Sequence, residues 1–293
     1  MFELIGIPPQ ALFGQLLLGL INGAFYSMLS LGLAVIFGLL NVINFTHGAQ
    51  YMMGAFVAWM LLNWLGIPYW GALILAPIIV ACFGMVLERL LLRRLYSLDH
   101  LYGLLLTFGL ALMVEGLFRK WFGSSGLPYE NPIPGGQRLP FMFLPNYRAW
   151  VVVASLIVCL ATWYMIERTK LGSYLRAATE RPDLVQAFGI NVPRMITLTY
   201  GFGVGLAALA GVMAAPIYSV NPLMGSNLII VVFAVVVIGG MGSIMGSIVT
   251  GFTLGLIEGL TKVFYPEASS TVIFIIMAIV LMIKPAGLFG TPK

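Results

Sequence analysis

Two glutamates in this chain each stand four residues ahead of a cation, Glu115 before Arg119 and Glu258 before Lys262. Acid first and base four later is the favourable order for a helical ion pair. Both therefore read as pairs that fix the depth of a helix at a membrane surface. The competing chemistry is a proton relay, but a proton- or sodium-driven transporter carries acids at mid-span, and the apolar runs show none there. His47, Ser243 and Ser247 could supply a serine–histidine pair, yet neither G-x-S-x-G nor H-E-x-x-H occurs. A phosphate-cradling loop needs Gly-Lys before Ser or Thr, and no lysine of the chain follows a glycine. The chain thus reads as non-enzymatic, with no ATPase site and no cofactor or metal of its own. If ATP drives it, another polypeptide hydrolyses the nucleotide.

The elements that hold these residues are overwhelmingly apolar. Of 293 residues 60% are hydrophobic and 9% charged, and the mean hydropathy is +1.01. That balance excludes a soluble domain and predicts an all-α polytopic membrane protein. The net charge of +5 is spread over several loops without a basic, aromatic-interleaved cluster, so the partner is a bilayer and not nucleic acid. Apolar runs near 11–40, 49–65, 70–88, 101–118, 149–166, 194–218, 227–260 and 271–289 give about eight membrane segments in a single transmembrane domain over 1–293. Water-facing breaks fall at Glu88–His100, Arg119–Arg148 and Arg168–Arg194. The second of these, rich in Pro, Gly and Tyr, predicts an ordered extramembrane loop with short helices. Aromatic residues such as Trp59, Trp64, Tyr69, Trp70, Trp121, Tyr147, Trp150 and Trp163 lie near span ends and read as interfacial anchors.

Lysine and arginine set the orientation. Placing Glu88–His100, Arg168–Arg194 and the C-terminus in the cytoplasm puts ten positive residues inside against five outside. The N-terminus, without Lys or Arg, is then periplasmic, and 119–148 becomes a periplasmic loop.

Two runs, Ala11–Leu40 and Asn227–Leu260, exceed the roughly 20 residues that cross a 30 Å hydrocarbon core. The first ends at NVINFTHG, Asn41 to Gly48. The second breaks at IGGMGSIMGS, Ile238 to Ser247, which leaves Leu228–Ile238 as half a crossing. Irregular backbone at membrane depth survives only where protein buries it or where it lines a cavity. Paired polar or glycine interruptions point to a transport pathway. Candidate pathway residues are Asn22, Tyr26, Asn41, Asn44, His47, Gly48, Gly239, Gly240, Gly242, Ser243 and Gly246, and 11–40 and 227–260 read as two broken or re-entrant helices, a straight span over 227–260 being the alternative. His47 serves either as such a lining residue or as a structural hydrogen-bonding group. Small-xxx-small spacings at Gly19–Gly23, Gly201–Gly205, Gly242–Gly246 and Gly251–Gly255–Gly259 predict close helix approach, as a movable interface or as plain tight packing.

Arg168–Arg194 holds seven charged residues and must protrude into water. Leu171, Leu175 and Ala178 recur at helical spacing, as do Leu184, Val185 and Phe188. Pro182 suits the first turn of a second short helix and Gly189 its left-handed stop. Two amphipathic helices with apolar faces either fold back on the membrane domain or dock into another protein.

NVINFTHGAQYMMGA at 41–55, LGSYLRAATERPDLVQAFGIN at 171–191, AALAGVMAAPIYSVNP at 207–222, VVIGGMGSIMGSIVTG at 236–251 and KPAGLFG at 284–290 together resemble the LivH-type permease subunits of ATP-binding-cassette importers for branched-chain amino acids. The resemblance runs essentially end to end. It implies a LivM-type permease partner, two cytoplasmic ATPases that bind ATP and Mg, and a periplasmic substrate-binding protein, in a bacterial inner membrane. It also implies that 168–194 is the cytoplasmic coupling loop, with Gly172, Arg176, Ala177, Glu180, Ala187, Gly189 and Ile190 on the family pattern beside the helical anchors Leu175 and Phe188. Substrates in the family extend to other amino acids, amides, urea and aromatic acids. A ribose-type sugar permease, which shares the glycine-rich break, and a stand-alone channel or facilitator are the alternatives.

Overall fold

A computed structural model describes residues 8–40, 43–96 and 98–290. Asn41, the unpositive N-terminus Met1–Ile7 and Lys293 fall outside the described residues. Eleven α-helices and one two-stranded hairpin make up the described chain. Six helices are long and apolar enough to cross a membrane, and Ser226–Gly239 and Val272–Ile283 are shorter apolar helices. The protein is therefore a multi-pass, all-helical membrane protein. It divides into two compact units, the first comprising 1–30, 131–159 and 231–293, the second 31–130 and 160–230.

Helix α1 (Pro9–Leu40) opens with proline in its first turn, where the missing N–H costs nothing. It runs unbroken for 32 residues, about 48 Å at 1.5 Å per residue. The long first run is thus one helix, and its break lies at the end. In its most apolar window 83% of residues are buried, against 11% for α4 (His100–Phe122). Sealing in protein explains why α1 can carry Asn22, Ser27 and Ser30.

In the first unit, α1 packs on α10 (Ile244–Phe264) through glycines. A Cβ added at Gly19 would lie 2.5 Å from the Gly255 carbonyl oxygen, and one at Gly23 would lie 3.0 Å from Phe252 Cα. Hydroxyls fasten the same seam: Ser27 Oγ donates to the Ile248 carbonyl at 3.0 Å and Ser30 Oγ faces that of Ser247 at 3.3 Å. Deeper along it, Tyr26 Oη donates to Glu258 Oε2 at 2.6 Å, while Lys262 Nζ donates to Glu258 Oε1 at 2.5 Å. The ion pair foreseen at Glu258–Lys262 therefore exists and also ties two helices together. The other pair, Glu115–Arg119, closes at 2.7 Å along α4. Glu258→Leu removes the bond between Tyr26 and Glu258 and the partner of Lys262, and is expected to cost about 1–3 kcal/mol, read as a lowered thermal midpoint of the purified protein in detergent.

The loop 119–148 does not form the short helices expected. Its ordered part is a hairpin of β1 (Gly136–Arg138) and β2 (Phe143–Pro145), antiparallel, with Gln137 opposite Leu144. Prolines at 128, 132, 134, 140 and 145 remove the amide donors a helix needs.

The second unit is organised around α8 (Val192–Ala214). It packs on α2 (Thr46–Leu65) at near backbone contact: a Cβ on Gly54 would collide with Ala208 backbone and one on Gly211 with the Tyr51 carbonyl. Val204 fills the space beside Gly84 of α3 (Tyr69–Leu90), and Met85 does so beside Gly201. Helix α4 is N-capped by Asp99, whose carboxylate accepts from Leu101 N–H at 2.8 Å. Trp64, Trp70 and Trp121 are exposed, as interfacial anchors should be, but Tyr69 and Tyr147 are buried in protein and do not act as anchors.

One water-facing reading is corrected. Glu88, the first residue of the water-facing break expected at Glu88–His100, is fully buried on α3. Helix α3 continues to Leu90 before a 3₁₀ turn at Leu92–Leu95, and helical rotation turns Glu88 inward while Arg89 and Arg93 face out.

Candidate functional site

Helix α5 (Asn146–Glu167) delivers the charged segment. Thr169 caps α6 (Lys170–Glu180) by accepting from Leu171 N–H, and its own hydroxyl donates to the Met165 carbonyl. Pro182 opens α7 (Pro182–Ala187), and Gly189 ends it at φ 82°. Gly172 is required because a Cβ there would collide with the Ile166 carbonyl. The segment then turns directly into α8, whose start is capped by Asn191 accepting from Arg194 N–H at 3.1 Å.

The two apolar faces have different fates. Ala178, Val185 and Val192 form a small core with Ile190, Met195 and Ile196, and Leu175 is buried alongside. This inner face folds back on the membrane domain. Leu171, Tyr174 and Leu184 are about half exposed or more, and Phe188 is 84% exposed. Arg176, Ala177, Glu180, Ala187 and Gly189 are also exposed. The ion pair Arg176–Glu167 spans 3.5 Å between two well-exposed side chains and contributes little. The fold-back alternative accounts for the inner face and leaves the outer face exposed.

At the first break the polar residues are sealed and joined to one another. Asn44, Thr46, His47 and Gln50 are all buried. Asn44 Nδ2 donates to Gln50 Oε1 at 3.1 Å, Thr46 Oγ1 donates to Asn44 Oδ1, and Gln50 Nε2 donates to Thr46 Oγ1 at 3.3 Å and Tyr200 Oη at 3.4 Å. Thr107 of α4 satisfies backbone that the break frees, accepting from Phe45 N–H at 3.1 Å and reaching the Ile43 carbonyl at 3.2 Å. His47 lies beneath α1, where a Cβ on Gly32 would approach its Cε1 to 2.9 Å, and Gly48 admits the Gly225 backbone. Gln50, Thr107 and Tyr200 are members the sequence reading missed. Gln50 alone carried a signal, since it lies one helical turn from Thr46 and His47.

The second break, in the first unit, is a glycine turn. Helix α9 (Ser226–Gly239) stops, Gly240 and Gly242 adopt φ 100° and 89°, and Ser243 restarts α10 by accepting from Gly246 N–H at 3.1 Å. Only glycine takes those angles without strain. A Cβ on Gly239 would lie 2.7 Å from the Gly246 carbonyl carbon. The KPAGLFG segment closes on the turn: Leu288 N–H donates to the Ile238 carbonyl at 2.8 Å and Phe289 N–H to that of Gly239 at 3.1 Å. Carbonyls at the end of α9 are thereby satisfied without water. Of the remaining predicted residues, Asn22 is half-buried on α1, and Tyr26 is buried with its hydroxyl held by Glu258.

Residues 15–281 match the family described as "Branched-chain amino acid transport system / permease component". The chain belongs to that family. The permease is 28% identical to the high-affinity branched-chain amino acid transport system permease protein LivH of Salmonella typhimurium, over 95% of this chain and 96% of the relative. It is 29% identical to the corresponding permease protein BraD of Pseudomonas aeruginosa, again over 95% and 96%. The ribose import permease protein RbsC of Escherichia coli matches at 30% identity over only 45% of this chain and 39% of its own length. The amino-acid branch thus accounts for the permease end to end, and the sugar branch for less than half.

Proposed function

We propose that the permease is one membrane half of an ATP-binding-cassette importer for branched-chain amino acids or related small polar solutes, driven by separate ATPases. The observation that carries this reading is the split of 168–194. Its inner face is packed on α8, and its outer face presents Leu171, Tyr174, Leu184 and Phe188 to solvent. Helix-in-groove docking needs apolar anchors with a charged rim, and Arg176 and Glu180 supply the rim. The occupant would be a cytoplasmic ATPase, one of a pair holding ATP and Mg. A LivM-type permease and a periplasmic binding protein complete the assembly in a bacterial inner membrane. The N-terminus lies in the periplasm and the C-terminus in the cytoplasm.

In this reading about eight segments enter the bilayer. Helix α9, with 14 residues, and α11 (Val272–Ile283), with 12, are too short to cross alone, since about 20 residues span the hydrocarbon. They pair with irregular backbone as broken or re-entrant elements. Nucleotide-driven movement of the coupling loop alternates access to the pathway.

Co-reconstitution with the ATPase pair, the partner permease and the binding protein tests the proposal. ATP-dependent accumulation of leucine, isoleucine or valine is expected, and deletion of 171–190 should abolish it while the protein still inserts. Flux through the permease alone without ATP, or uptake that survives the deletion, overturns it in favour of a facilitator.

A further inference from the structure

Glu88 is an acid on a membrane-spanning helix, and none of its surface is exposed. No ion pair to it is found among the described residues. Its two oxygens are divided instead between hydroxyls from different elements. Thr197 Oγ1 donates to Oε2 at 2.6 Å, and Tyr96 Oη donates to Oε1 at 3.0 Å. Burial first, and the adjacent Glu88 carboxylate second, hold the Tyr96 phenol above its usual pKa. A carboxyl in such a place is costly to bury, and it is kept only where its oxygens find partners.

Where these partners sit tells what the carboxyl joins. Thr197 lies on the second turn of α8, just beyond Val192, which is part of the coupling segment's core. Tyr96 lies on the link between α3 and α4, and it lines a cavity of about 350 Å³ together with Leu175, Ala178 and Thr179 of the segment. One turn further along α8, Tyr200 reaches Gln50 in the polar break. The carboxylate is therefore the polar fastening between the coupling segment's root, the end of α3 and the helix leading to the break. Apart from this joint and the one at Tyr200, α8 meets its neighbours by close packing against Gly54, Gly84 and Gly32, and packed surfaces can slide where a bidentate acceptor cannot.

We propose that Glu88 is a positioning residue for energy coupling, clamping α8 to α3 and the α3–α4 link so that displacement of the coupling loop is transmitted to the break. The inference rests on the ATP-driven reading above. Its test is the number of substrate molecules carried per ATP hydrolysed by the complete complex in proteoliposomes. Glu88→Gln keeps an acceptor and should stay within about twofold of wild type. Glu88→Leu and Thr197→Val should hydrolyse ATP at close to the normal rate while carrying about fivefold less substrate per ATP, a typical coupling loss, and Thr197→Ser should restore the ratio. An assembled Glu88→Leu complex with an unchanged ratio overturns the proposal, as does loss of transport and hydrolysis in equal proportion. If Glu88→Leu does not assemble, the Thr197→Val and Thr197→Ser pair decides alone. A wild-type complex without ATP-driven uptake would overturn the underlying reading, whatever the variants do.

Discussion

Replacing Leu184 and Phe188 together by aspartate is expected to detach the permease from the ATPase proposed above and abolish uptake, with the permease itself still folded. Both side chains leave the α7 region on its open face, whereas Val185 between them is buried in the segment's own core. The substitutions therefore touch the proposed docking face and not the packing behind it. Losing one apolar anchor in a protein interface costs about 2 kcal/mol, roughly thirtyfold in affinity. Two anchors replaced by charges in a desolvated groove should exceed that by far. Co-purification of the ATPase should fall below detection, and the thermal midpoint of the isolated permease should hold, since exposed substitutions cost within about 0.5 kcal/mol. ATPase binding and uptake that both survive would show that this face docks nothing.

The two short helices of 168–194 were legible in the sequence because their signals are local. Thr169, Pro182 and Gly189 act within a turn of themselves, and the helical spacing of Leu175 and Ala178 names the face before any partner is known. What periodicity cannot give is which apolar residues find cover. Leu171 and Leu175 share a stripe, yet one is exposed and the other is buried, because α8 reaches only one end of the face.

The breaks were legible as breaks, and their completion was not. Asn44 and Gln50 are near neighbours in the chain, but the hydroxyl that joins them to α8 comes from Tyr200, 150 residues from Gln50. KPAGLFG stood out as a motif, although its work, two amide donors for the carbonyls of Ile238 and Gly239, depends on a contact some 50 residues away in the chain. Glu88 was misplaced for a related reason. It adjoins Arg89, so composition assigns it to water, whereas the 100° step between successive helical residues separates the two. A single acid beside a cationic loop is polar by composition and buried by rotation.

Gly211→Leu is expected to remove more than about 3 kcal/mol of stability, the upper range for overpacking, and Gly109→Ala almost none. Glycine spacing cannot tell such positions apart, since small residues recur along most of these helices. A Cβ at Gly211 would collide with the Tyr51 carbonyl oxygen and lie 2.9 Å from its carbon. Backbone cannot swing aside as a flexible side chain does, so α2 and α8 must separate, and with them the joint between Gln50 and Tyr200. At Gly109 on α4 nothing lies within 4 Å of the added carbon, and alanine improves helix propensity by up to about 1 kcal/mol. Folded proteins hold a margin of only about 5–15 kcal/mol, so Gly211→Leu should lower the thermal midpoint in detergent and the yield from membranes, while Gly109→Ala leaves both at wild-type values or slightly above. An unchanged midpoint for Gly211→Leu would mean that α2 and α8 do not meet backbone to backbone. Small-xxx-small spacing thus marks where helices can approach, and the facing carbonyl decides where they must.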